Sequence, residues 1–110
     1  MILCTTDTVP GRTVRCYLGL AKGCSVRGAY FGDDVVARIK NALGGEIHEY
    51  TAIFAQAREQ ALDRLIADAL SLGADAIVGL RFCSVEIATG VAELQVYGTA
   101  VSLDPNQTTP

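Results

Sequence analysis

The 110-residue chain reads as one α+β domain, a two-layer βαββ unit in which an antiparallel sheet is covered by one long helix, with an extra short helix ahead of it. Three observations carry that reading. Residues 51–72 keep an unbroken amphipathic pattern: Phe54, Ala57, Ala61, Leu65, Ala69 and Leu72 recur on one side, with Leu62, Ile66 and Leu70 beside them. Gln56, Glu59, Gln60, Asp63, Arg64 and Ser71 fall opposite. Period-two alternation marks strands on both sides of that helix. Finally, Gly73 stands where the helical pattern stops and the β-favouring run Ala76-Ile77-Val78-Gly79-Leu80 is about to begin, which is the position a left-handed helix C-cap needs.

In chain order, residues 2–5 form a short β-like segment. Pro10-Gly11 then predicts a turn, because proline fixes φ and glycine tolerates φ > 0. Val14, Cys16, Leu18 and Leu20 alternate with Arg15, Tyr17 and Gly19, so Cys16 is expected on the apolar face of a half-buried strand. Gly23, Gly28 and Gly32 break up the following stretch. Asp33 can cap a short helix carrying Val35, Val36, Ile39 and Leu43, which Gly44-Gly45 stops. Residues 46–50 read as a polar connector into the long helix. A strand over about 76–87 and a turn near Thr89-Gly90 lead to the last strand, where Ala92, Leu94, Val96, Gly98 and Ala100 share one face. Residues 1–103 thus form the domain. The polar, proline-bearing stretch 104–110 is expected to be a disordered tail.

Composition narrows the function classes. Half the residues are hydrophobic and the mean hydropathy is +0.30, high for a chain that must leave much of its surface outside a small core. The strand sequences carry few of the lysines and prolines that protect sheet edges, so pairing between copies is expected. A net charge of −3, with nine scattered Lys and Arg, disfavours nucleic acid and anionic membranes as partners. No apolar run is long enough to span a bilayer and the N-terminus lacks a signal-peptide pattern; the cytoplasm is the expected compartment. Cysteines 4, 16, 24 and 83 form no C-x-x-C pair and are expected to be reduced, small buried side chains, with Cys24 between Gly23 and Ser25 the exception in being exposed.

No catalytic residue is identified: the chain has no phosphate loop, nucleophile elbow or metalloprotease helix. The metal candidates are Cys24, a soft thiolate donor, and His48 and Glu49, which with Glu46 make up the His and carboxylate cluster. That cluster sits consecutively in a connector and needs ligands from elsewhere to close a site, so a solvated linker accounts for it more simply. Arg58 and Glu59 read as structural, suited to a subunit contact. Asp75, between helix and strand, reads as an acceptor for backbone N–H groups in the turn. Cofactor-binding residues are not indicated.

Several stretches together resemble the YbjQ-like, or UPF0145, proteins, an uncharacterised family sometimes labelled heavy-metal-binding. They are Thr5-Thr6-Asp7-Thr8-Val9-Pro10-Gly11, Tyr17-Leu18-Gly19, Gly44-Gly45, Tyr50 with Ala57-Arg58-Glu59-Gln60-Ala61, Leu72-Gly73-Ala74-Asp75-Ala76-Ile77-Val78-Gly79 and Gly98-Thr99-Ala100-Val101. The resemblance covers residues 2–103. It implies a subunit similar to that of dodecin and a ring-shaped homopentamer, and it implies no established reaction. Two places depart from the family pattern. Arg81-Phe82-Cys83-Ser84 stands where relatives often carry acidic residues, and Ala29-Tyr30-Phe31-Gly32-Asp33-Asp34 replaces an Asn-Ile-Phe-Arg-Asp-like segment. The resulting expectation is a homo-oligomeric binding or scaffold protein without catalytic activity, with heavy-metal binding as the alternative.

Overall fold

The structure, a computed structural model, describes residues 1–27, 48–88 and 91–105. Its elements are β1 (Ile2–Leu3), β2 (Val14–Arg27), α1 (His48–Ser71), β3 (Ala76–Ala88) and β4 (Val91–Leu103). The expected short helix after Asp33 and the turn at Thr89-Gly90 lie outside the described residues. The sheet order is β1-β3-β4-β2. β4 pairs antiparallel with both β2 and β3, whereas β1 runs parallel to β3, so the sheet is mixed rather than wholly antiparallel. A two-residue strand gives no alternation from which its direction could be read.

α1 begins at His48, three residues earlier than expected, so His48, Glu49 and Tyr50 belong to the helix rather than to a connector. Its C-terminus follows from Gly73, at φ +79°: Ala74 N–H donates to Ala69 C=O at 3.1 Å and Gly73 N–H to Leu70 C=O at 3.0 Å. That pair of bonds is a Schellman cap, and buried Ala74 meets Ala69 in the core beneath it. Ala57, Ala61, Leu65 and Ala69, four residues apart, are all buried on the sheet, as their spacing predicts. They pack with Ala21, Ile77, Leu80, Val96 and Ala100.

Two bulges control which strand residues reach that core. Leu18 and Ala21 both pack into it, as do Ile77 and Leu80, although an uninterrupted strand places residues three apart on opposite faces. The register shifts between Tyr17 and Gly19 and between Val78 and Arg81, with Gly19 at φ +126° and Gly79 at φ +63°. Leu20 is exposed beyond the first shift, and Cys16, separated from Val14 by a further register shift, is exposed as well, which corrects the expectation that Cys16 lies in the core. Gly23, expected to interrupt the chain, is instead the interior of β2. A Cβ there would strike the main chain of α1 at Ala61 C=O and Leu65 N, so glycine is what lets helix and strand backbones touch.

The far face of the sheet is covered as well, at one end. Val9, Ala76, Val78, Val101 and Leu103 form a second cluster, joined by partly buried Cys4 and Val14. The turn at Pro10-Gly11 folds the N-terminal segment over it: Arg12 N–H donates to Val9 C=O at 3.1 Å, with Gly11 at φ +79°. Order continues past Leu103, since Asp104 N–H donates to Thr13 C=O at 2.9 Å and Asp104 C=O accepts from Arg12. Residues 106–110 lie outside the described part.

Candidate functional site

An α-helix turns about 100° per residue, so the residues just before and just after the buried stripe point to opposite sides of α1. Gln60, Arg64 and Asp68 form one flank and Leu62, Ile66 and Leu70 the other. The polar flank overlies β2. Ser25, buried in the strand, donates its hydroxyl to Gln60 Oε1 at 2.8 Å. Arg64 Nη1 donates to Cys24 C=O at 2.6 Å, and Lys22 N–H donates to Asp68 Oδ2 at 2.9 Å. An open groove of about 1150 Å³ runs along this side, lined among others by Leu20, Lys22, Cys24, Arg64, Asp68 and Tyr97. Its walls are largely apolar while its charges are of both signs, so it favours no single ligand charge. Two of those charges are committed to the β2 backbone.

The apolar flank faces a different environment. α1 packs along β2 and more lightly along β4, and β3 beyond Leu80 is not covered by it. Phe82, on the helix side of β3 by alternation from its partner Val96, is 44% exposed, and Leu70 is 60% exposed. Among the described residues, the helix and the helix side of the sheet therefore each expose an apolar side chain.

The metal candidates lie on two elements. Cys24 is exposed on β2, while His48 and Glu49 lie in the first turn of α1 with side chains outside the described part. Cys83 is exposed too, contrary to the expectation of a buried thiol. One relationship was not legible in the sequence: Gln95 of β4 is the register partner of both Cys24 and Cys83, which places the two cysteines in one row across the sheet. Two strand spacings separate them, roughly 9–10 Å, whereas one ion bound at about 2.3 Å from each sulfur needs thiolates within about 4.6 Å. Among the described residues no group of three or more His, Cys, Asp or Glu could hold a metal.

Asp75 does accept a backbone N–H, but from Leu103 on β4, at 2.8 Å, and so ties the helix-to-strand turn to the neighbouring strand. Arg58 and Glu59 are both exposed on α1. Arg81, in the segment that departs from the family pattern, donates to Thr5 C=O and Leu80 C=O, each at 2.8 Å, and pins the N-terminal segment against β3. No helix among the described residues is long and apolar enough to cross a membrane.

The family model for YbjQ, described as "Putative heavy-metal-binding", matches residues 1–104. A UPF0145 protein of Archaeoglobus fulgidus is 48% identical over 103 residues, covering 94% of this chain and 95% of the relative. One of Shewanella frigidimarina is 43% identical over 107 residues, covering 97% and 100%. Among solved structures, a protein of unknown function from Pediococcus pentosaceus, assigned to the DUF74 family, superposes with a TM-score of 0.65 at 20% identity, covering 94% of this chain and 98% of that one. That likeness bears on the fold alone.

Proposed function

This chain belongs to the UPF0145 (YbjQ) family, and from that premise we propose that it is a cytoplasmic, homo-oligomeric binding or scaffold protein without catalytic activity, its copies closing into a ring of five. The observation that carries the reading is the exposure of Leu70 on α1 and Phe82 on β3, with Leu62 and Ile66 half-buried on the same helix flank as Leu70. A 110-residue chain that is 50% hydrophobic has more apolar surface than its own core takes up, and a neighbouring copy is the surface always at hand to cover it. The outer edge of β3 supports the same conclusion. Ile2, Cys4 and Thr6 bond along it as far as Leu80, and among the described residues no strand lies beside it beyond that point. The ring of five rests on the family resemblance, while contact between copies rests on these surfaces. The groove along β2 is the natural seat for a small ligand.

Heavy-metal binding is the second reading, favoured by the family's description. The described residues of one protomer do not fit such a site, because Cys24 and Cys83 stand too far apart to share an ion, so a metal would need ligands from beyond the described residues or from a second copy. Native mass spectrometry at micromolar concentration, with metal analysis of the same sample, tests both readings. A pentamer free of stoichiometric metal is the expected result. A monomer overturns the assembly, another closed oligomer overturns the number five, and one bound metal per chain or per interface replaces the first reading by the second.

A further inference from the structure

Among the described residues the sheet ends in β2 on one side, and side chains of α1 bond to that edge. In the antiparallel pairing of β2 with β4, alternate residues of β2 turn their backbone groups toward β4 and away from it. Lys22 N–H and Cys24 C=O bond to side chains of α1, so this pair of residues faces outward, where an incoming strand would dock. Asp68 Oδ2 already accepts from the first, and Arg64 Nη1 already donates to the second. The two side chains are four residues apart on one helix flank, and Lys22 and Cys24 are two apart on the strand, so an acceptor and a donor sit where the neighbouring strand would present its own C=O and N–H. Gly23 between them makes the reach possible. With no Cβ to hold the helix off, the main chain of Ala61 and Leu65 lies against the strand and even the short aspartate side chain reaches its edge. Ser25 bonded to Gln60, one turn earlier on the same flank, fixes the register of helix on strand.

We infer that Arg64 and Asp68 guard the β2 edge: they occupy two of its outward backbone groups, Lys22 N–H and Cys24 C=O, so that a second copy of this chain cannot add a strand in register there. The inference rests on the reading that copies of this chain associate, and it states where they do not. A sheet that can accept a strand at both edges can continue from copy to copy, into a ring or an open filament, whereas one whose second edge is occupied cannot continue there.

The test uses the full chain in wild-type form, as Arg64→Ala/Asp68→Ala and as Asp68→Asn, which keeps an oxygen acceptor for Lys22 N–H. Circular dichroism first establishes that each is folded. Size-exclusion chromatography with light scattering over a hundredfold concentration range then reads assembly, and amide hydrogen exchange reads Lys22 at the lowest concentration. The wild type and Asp68→Asn are expected to hold one discrete mass. The double alanine variant is expected to shift to a broad, concentration-dependent distribution of larger species, with Lys22 exchanging about five- to tenfold faster at the lowest concentration, the loss of about one hydrogen bond. A folded double variant that keeps the wild-type mass throughout overturns the guard. If that variant does not fold, Lys22 exchange in Asp68→Ala alone decides: a rate equal to wild type overturns the guard as well. A wild type that is monomeric overturns the assembly reading instead, and the comparison of variant with wild type still reads the guard.

Discussion

The two flanks of α1 are built from the same helix, one residue to either side of the same buried stripe, yet they do opposite things. The flank of Gln60, Arg64 and Asp68 closes onto β2 with three hydrogen bonds between elements distant in sequence, and leaves Lys22 N–H and Cys24 C=O occupied. The flank of Leu62, Ile66 and Leu70 looks across β3 with nothing among the described residues to cover Phe82. A single helix on a four-stranded sheet can cover only part of it, and here the polar side was placed where backbone needed partners and the apolar side where another surface can supply burial. The lesson is that amphipathicity has a third direction. Besides the face toward the core and the face toward solvent, the two sides differ, and that difference decides which border of the domain stays closed.

The largest effect is expected at the stripe on which both flanks depend. Leu65 is fully buried, and Leu65→Ala should cost about 2–5 kcal/mol in chemical denaturation, through lost transfer energy and the cavity left behind. A loss below about 0.5 kcal/mol would break the assignment of the buried face. Next comes the contact that holds the polar flank close. Gly23→Ala should cost about 1–3 kcal/mol or more, because its Cβ strikes helix backbone that cannot swing aside. Gly98→Ala sharpens the comparison: its nearest contact is the Ile77 Cγ2 methyl at 2.6 Å, and the backbone it meets, at Val78 C=O, is 3.0 Å away rather than closer as at Gly23, so the smaller cost belongs there. Equal losses at the two glycines would remove the special closeness claimed for the β2 side.

On the apolar flank the expectation separates stability from association. Leu70→Ser removes a side chain that is 60% exposed in the protomer, and should change protomer stability by no more than about 0.5 kcal/mol. If the flank is an interface, the same variant should raise the concentration for half-assembly at least about tenfold, equivalent to roughly 1.4 kcal/mol, as read by analytical ultracentrifugation. Unchanged assembly would move the contact elsewhere. The smallest effect is expected from chelation. Cys24 lies beside the polar flank and Cys83 on the open strand, too far apart to share one ion, so EDTA should leave the melting temperature where it was. A chelator-induced fall of several degrees would make metal part of the fold.

Taken by itself, the sequence determined whatever depends on local period and local conformation. The buried stripe at Ala57, Ala61, Leu65 and Ala69 follows from helical spacing, the cap from Gly73, the turn from Pro10-Gly11, and the inward face of β4 at Val96, Gly98 and Ala100 from strand alternation. Each signal lies within a few residues of the feature it specifies. The tertiary structure decided what depends on residues far apart in the chain. Cys16 leaves the face of Val14 because the register shifts between them, and only pairing with β4 reveals the extra residue. Gly23 stays within its strand because a helix some forty residues later lies against it, and Cys24 and Cys83 share a row through Gln95 on a third strand. The β2 edge, bare by its own composition, is closed by Arg64 and Asp68, since a backbone donor and acceptor can be satisfied by any side chain the fold brings within reach, at whatever distance along the chain.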